Sequence, residues 1–129
     1  MTLATLTPAD DWDPDAHADA VAALAALGPD DRLLLWCDDG CKDCRALLPG
    51  FAAALDAAGV PDDRVVQYEV ERLPEGRKRG PQVEAYGVER IPTVVVERDG
   101  VEVARYVEGD GGAIAEALAE ALAGAEAAD

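Results

Sequence analysis

Two cysteines separated by two residues, Cys41-Lys42-Asp43-Cys44, stand where an apolar run (Leu33, Leu34, Leu35, Trp36) gives way to a helix-like one (Ala46, Leu47, Leu48, Phe51, Leu55). From Arg32 to Cys37 apolar residues occupy both parities, the mark of a central strand covered on two sides. From Asp43 to about Ala58 the spacing Cys44, Leu48, Phe51, Leu55 is helical, with a kink expected at Pro49 and a stop at Gly59-Val60-Pro61. A two-sided strand running into a helix commits the chain to layers on both faces of a sheet. Two thiols at the start of that helix can close a small disulfide. The first meets the partial positive charge of the helix end, which favours thiolate, the attacking form in disulfide exchange.

The rest of the chain supplies the layers. Asp13-Pro14 reads as an N-cap followed by proline at the first helical position, opening a helix whose apolar side holds Ala18, Val21, Ala22, Leu24, Ala25 and Leu27 and which stops at Gly28-Pro29. Arg64 to Val70 reads as a second strand, which with the first completes a βαβ unit, expected to be right-handed. Glu71 to Gly80 is loop-like and concentrates Arg72, Arg77, Lys78 and Arg79. A short helix fits Pro81 to Tyr86, closed by Gly87. Thr93 to Arg98 and Val101 to Val107 are β-rich runs around Asp99-Gly100, the signal of a two-residue type I′ hairpin. Asp110 can cap a last helix with Ile114, Leu118, Ala121 and Leu122 on one face and Glu116 and Glu120 toward solvent, fraying after Ala123. The expected fold class is α/β, a mixed central sheet flanked by helices on both faces. At 129 residues, one domain spans the chain, residues 1–129, with an N-terminal extension and helix over about 1–31.

Charge excludes some functions. With 27 acids against 11 bases the formal net charge is −16, so nucleic acid and anionic membrane surfaces would repel this chain. Lys42 and Lys78 are its lysines and the remaining bases are arginines, a pattern suited to concentrated salt. At about 1 M salt the Debye length falls to roughly 3 Å, which screens self-repulsion among the acids. No run of about 20 apolar residues is present to span a bilayer. Met1 to Asp15 lacks the basic and apolar regions of a secretory signal, and the chain reads as cytoplasmic. Three clustered cysteines in a reducing compartment point to chemistry rather than to a structural framework.

These residues resemble the thioredoxin family. The resemblance rests on the Cys41–Cys44 pair followed by Arg45 and Pro49, on the run Tyr86-Gly87-Val88-Glu89-Arg90-Ile91-Pro92-Thr93, and on the Asp99-Gly100 hairpin; it covers about Arg32 to the C-terminus. It implies a thioredoxin fold and a thiol–disulfide oxidoreductase that reduces protein disulfides. Cys41 would be the nucleophile, Cys44 the resolving thiol and Pro92 a cis-proline facing the disulfide, with Ile91 offering backbone to an extended substrate. Attack by Cys41 gives a mixed disulfide that Cys44 displaces, leaving Cys41 and Cys44 oxidised. The implied partners are disulfide-containing proteins and a separate disulfide reductase as electron donor, with no bound cofactor and no metal.

The sequence also departs from that pattern. Gly40 stands where the family usually has Trp, Leu35 stands where a buried acid is common, and Lys42-Asp43 replaces Gly-Pro. Proton transfer at Cys44 then needs another route, with Asp38, Asp39 or water as candidates. Asp38, Asp39 and Asp43 oppose thiolate at Cys41 whereas Lys42 and the helix end favour it, so Lys42 and Asp43 are accessory residues and the protein is expected to be a reductant.

Cys37 reads as a small core residue, a regulatory third thiol or a metal ligand, and the strand is expected to turn it away from the other two cysteines. Two alternatives remain: a three-thiol metal or iron–sulfur binding protein, and a redox-inactive interaction module using the Arg72–Arg79 loop to steer acidic partners. His17 and Trp12 read as structural or solvated, and Trp36 as a sheet-packing residue.

Overall fold

The computed structural model describes residues 6–38, 40–74, 78–107 and 113–127. Asp13 caps a 3-10 turn over Pro14–His17, its carboxylate accepting from the Asp15 N–H at 3.0 Å, and the turn runs into helix α1, Ala18–Ala25. Strand β1 is Asp31–Cys37, helix α2 is Lys42–Ala58, and a turn at Asp62–Arg64 leads to β2, Val65–Glu69. Helix α2 continues through Pro49 and ends on Gly59, whose φ of 72° is the left-handed conformation that glycine adopts without a side-chain clash. The segment expected as a loop contains two short antiparallel strands, β3 (Glu71–Arg72) and β4 (Lys78–Arg79). Single-turn helix α3, Val83–Tyr86, precedes β5 (Thr93–Arg98) and β6 (Val101–Val107). The turn between those strands has positive φ at both Asp99 (53°) and Gly100 (81°), as a type I′ turn requires. Helix α4 spans Ile114–Ala127, past the fraying point expected at Ala123. Asp110, the cap expected for it, lies outside the described residues.

The main sheet has the order β2-β1-β5-β6, with β1 and β2 parallel and the other pairs antiparallel. Strand β1 is therefore central, and its residues from Leu33 to Cys37 are almost wholly buried. Alternation places Leu33, Leu35 and Cys37 on one face and Arg32, Leu34 and Trp36 on the other. The first face carries the long helices: α1, α2 and α4 pack on one another and α4 packs on β6. Leu24, Leu48, Ile114 and Leu118 are among the apolar residues they bury.

The second face is closed by α3 and aromatic rings. The Trp36 indole lies between Tyr68 and Tyr86, with ring centroids 5.1 Å from each, and donates its N–H to the Pro81 carbonyl at 2.9 Å. A buried indole that kept its N–H unpartnered would forfeit part of what its burial contributes, so Pro81 fixes how α3 sits on the sheet. The expected fold class, a mixed sheet with helices on both faces, is the one observed, with three long helices on one side and a single turn on the other.

An ion pair that the sequence did not reveal pins the start of β1. Asp31, 3% exposed, accepts from Arg98 Nε at 2.8 Å and from the Gly28 N–H at 2.7 Å. Asp31 and Arg98 are cross-strand partners in the β1–β5 register. Burial alone would push the Asp31 carboxyl up; the bonds from Arg98 and Gly28 and the positive charges of Arg98 and Arg64 outweigh it and hold it below its ordinary 3.8.

Candidate functional site: a three-thiol junction of strand and helix

The carboxyl end of β1 and the first turn of α2 bring three sulfurs together. Cys41 is the N-cap of α2, extended at φ −80° and ψ 129°; its carbonyl accepts the Arg45 N–H at 3.0 Å and its own N–H donates to the Asp38 carbonyl at 2.9 Å. Cys41 is a free thiol and 8% exposed. Cys44 lies one turn along and is fully buried.

Cys44 is bonded to Cys37. The expectation that β1 turns Cys37 away is overturned: Cys37 shares the face of Leu33 and Leu35, which is the face α2 covers, and its side chain points at the first turn of that helix. The two residues have Cα atoms 6.2 Å apart, within the range a disulfide spans. Cys37 is held in place from the strand side as well, its carbonyl accepting the Val70 N–H at 2.9 Å. In the structure the bonded pair is thus Cys37–Cys44, and Cys41 stands beside it as a thiol.

The Ile91–Pro92 peptide is cis, and both residues are buried. The last β1–β5 pair is Trp36 with Thr93, so one further step of the antiparallel register sets Pro92 level with Cys37. The Thr93 hydroxyl donates to the Arg90 carbonyl at 2.6 Å and closes the turn that delivers the proline.

The loop between Cys37 and Cys41 is braced by Asp38 and Arg72. One Asp38 oxygen accepts the Gly40 N–H at 3.1 Å and the other accepts Arg72 Nε at 2.7 Å. A Cβ at Gly40 would lie 3.2 Å from an Arg72 guanidinium nitrogen, so the arginine covers this glycine. Arg72, expected in a basic loop that steers acidic partners, braces the loop before Cys41. Nothing in its local pattern marks it, because its partner Asp38 lies 34 residues away in the chain.

A cleft of about 700 Å³ adjoins this brace, with Asp38, Glu69, Glu71, Arg72 and Arg79 among its walls. Arg79 pairs with both oxygens of Glu71 at 2.8 Å, so Arg72 and Arg79 are each partnered by an acid. Arg77 of the basic segment and Asp39, a candidate proton carrier, lie outside the described residues. Leu35 is fully buried and apolar. Lys42 and Asp43 begin α2 and are exposed.

Two aromatic readings hold: Trp36 packs the sheet, and Trp12 stacks on His17 with centroids 4.7 Å apart. His17 also pairs with Glu116, joining the N-terminal turn to α4. Among the described residues, no group of three or more His, Cys, Asp and Glu side chains is arranged to hold a metal, and no helix is long and apolar enough to cross a membrane.

A mixed sheet of order β2-β1-β5-β6, cysteines at the β1–α2 junction and a cis-proline at the start of β5 make this a thioredoxin-like α/β fold. Among solved structures the chain is similar to a mutant thioredoxin from Halobacterium salinarum NRC-1, with 22% sequence identity, 96% of this chain and 95% of that chain covered, and a TM-score of 0.47. No family model matches the chain, and no curated protein matches it.

Proposed function

We propose that this protein is a thiol–disulfide oxidoreductase of thioredoxin type that reduces disulfides in other proteins. Cys41 attacks the target disulfide, forming a mixed disulfide and releasing one target thiol. Cys44 then attacks Cys41 Sγ, the target leaves as its second thiol, and the protein is left oxidised at Cys41–Cys44. Ile91 and Pro92 receive the target chain, Lys42 and Asp43 tune the entrance, and a separate disulfide reductase returns the electrons without any bound cofactor.

The observation that carries this reading is the placing of Cys41 as the N-cap of α2 one turn from Cys44. At that position Cys41 lies against the free backbone N–H groups of the helix start, and Cys44 follows three residues on in the first turn of the same helix. The acidic composition supports a protein working in concentrated salt, where its self-repulsion is screened.

The test is reduction of insulin with dithiothreitol at molar salt, comparing the wild type with Cys41→Ser and Cys44→Ser. Loss of turnover in both supports the assignment; turnover unaffected by Cys41→Ser refutes it. Metal analysis of anaerobically purified protein tests the three-thiol metal alternative, which stoichiometric zinc or iron would favour.

A further inference from the structure

Cys44 has one cysteine three residues before it, at the N-cap of its helix, and one on the neighbouring strand. The dithiol mechanism uses Cys41; the structure bonds Cys44 to Cys37. Both residues of that disulfide are 0% exposed, and Cys41, at 8%, is the least buried of the three. A permanent Cys37–Cys44 bond would withdraw Cys44 from exchange with Cys41 altogether. The two arrangements are compatible if the sulfur of Cys44 passes between its neighbours.

The geometry points to Cys37 as a third redox-active thiol, an internal acceptor that takes Cys44 over from Cys41 and leaves the nucleophile free while the centre is oxidised. This rests on the dithiol reading given above. After a turnover the protein holds Cys41–Cys44 and a Cys37 thiol. Cys37 gives up its proton and its sulfur attacks Cys44 Sγ; the Cys37–Cys44 bond forms, the Cys41–Cys44 bond breaks, and Cys41 leaves as a thiolate that takes up a proton. One disulfide replaces another, and no electron enters or leaves. The step therefore needs no outside oxidant or reductant.

The consequence is directional. In the Cys37–Cys44 isomer both bonded sulfurs lie behind the surface, so a reduced target cannot attack them and be reoxidised. An external thiol reaches the centre only after Cys41 attacks Cys44 and restores the Cys41–Cys44 isomer, releasing Cys37 as a thiol. Cys41 is thus both the attacking group toward targets and the route by which the buried disulfide is reopened.

The experiment maps disulfides in the unaltered chain, so it does not depend on any variant folding. Protein reduced and then oxidised with oxidised dithiothreitol is acid-quenched, alkylated under denaturing conditions and cut with a protease that cleaves before aspartate. Cleavage before Asp38 and Asp43 leaves each of the three cysteines in its own fragment. The expected product is Cys37 linked to Cys44 with Cys41 alkylated. In oxidised Cys41→Ser, dithiothreitol should open the disulfide at least about tenfold more slowly than in wild type, because the internal attacking thiol is gone. Oxidised Cys37→Ser should carry Cys41–Cys44 and no alkylatable thiol.

Recovery of Cys41–Cys44 with alkylated Cys37 from wild type overturns the inference and leaves the dithiol reading standing. Reduction of Cys41→Ser at the wild-type rate also overturns it, making Cys37–Cys44 a structural tie independent of Cys41. Failure of the dithiol reading is seen separately, as insulin reduction that survives Cys41→Ser.

Discussion

Replacing Asp31 by Asn tests how β1 is held at the end opposite its cysteine. The side chain keeps its shape but has one acceptor oxygen where the carboxylate has two, and it brings two N–H donors into a site already facing the Gly28 N–H and Arg98. If the Asn oxygen stays with Arg98, the Gly28 N–H loses its acceptor, at a cost of about 1–2 kcal/mol. The Arg98 arm contributes less, because its side chain is 41% exposed and solvent screens the lost charge to about 0.5–1 kcal/mol. Together these give about 2 kcal/mol, which for a domain of this length lowers the melting midpoint by about 7 °C.

The dependence on pH has a definite sign. Asp31 is held below its ordinary 3.8 in the folded protein, so its contribution is complete above that value and is lost as pH falls through the lower folded-state value. Thermal melts of wild type and Asp31→Asn at fixed salt, from neutral pH downward, should show a gap that narrows as the wild type protonates. A midpoint within about 1 °C of wild type at neutral pH would refute the reasoning. So would a gap that stays constant throughout the acid range.

Two glycines should respond in opposite directions. A Cβ at Gly80 would stand 3.0 Å from the Glu69 carbonyl oxygen, a backbone atom that cannot swing aside, so Gly80→Ala should cost about 1–3 kcal/mol in urea unfolding. At Gly50, within α2, a Cβ meets Trp12 at an ordinary 3.7 Å, and Gly50→Ala should stabilise by about 0.5–1 kcal/mol in the same assay. The Tyr86 hydroxyl donates to Glu97, and that bond, then burial, pushes the phenol above its ordinary 10.0; absorbance titration should show a late-ionising tyrosine that Tyr86→Phe removes. Because the folded state favours the neutral phenol, its stabilisation is present below 10.0 and disappears as pH rises through the higher folded-state value. For the whole chain, the melting temperature should rise from dilute to molar potassium chloride, and a flat or falling trend would count against salt adaptation.

Where sequence and structure agree, a strong local signal is present. Thr93–Arg98 and Val101–Val107 have the bounds read from the sequence, because Asp99-Gly100 fixes a turn and β-branched residues flank it. Helix α2 begins one residue before the expected Asp43, and its Cys44, Leu48, Phe51 and Leu55 are all buried as the spacing required. The hairpin of β3 and β4 was not legible, since strands of two residues carry no periodicity.

The direction of Cys37 was not legible for a related reason. A strand apolar on both faces has no alternation to set its phase, and Asp31 and Arg32, charged neighbours of opposite parity, cancel as markers. The Asp31–Arg98 pair was hidden too, because it becomes visible only when the β1–β5 register is known. The sequence therefore points to a Cys41–Cys44 pair with Cys37 as an accessory, whereas the sulfur pairing depends on which way a central strand faces.

Arg72 gives the surrounding medium a handle on the redox loop. Its bond to Asp38 joins side chains that are 49% and 25% exposed, the kind of contact that dissolved ions weaken. The other ties of that loop, from the Gly40 and Cys41 N–H groups to Asp38, run from backbone amides and do not depend on a pair of opposite charges. In dilute buffer the guanidinium is drawn down over Gly40; in brine that attraction is muted while the amide ties persist. The frame of the nucleophile is thus insulated from salinity, and what changes with salt is how tightly its cover is held.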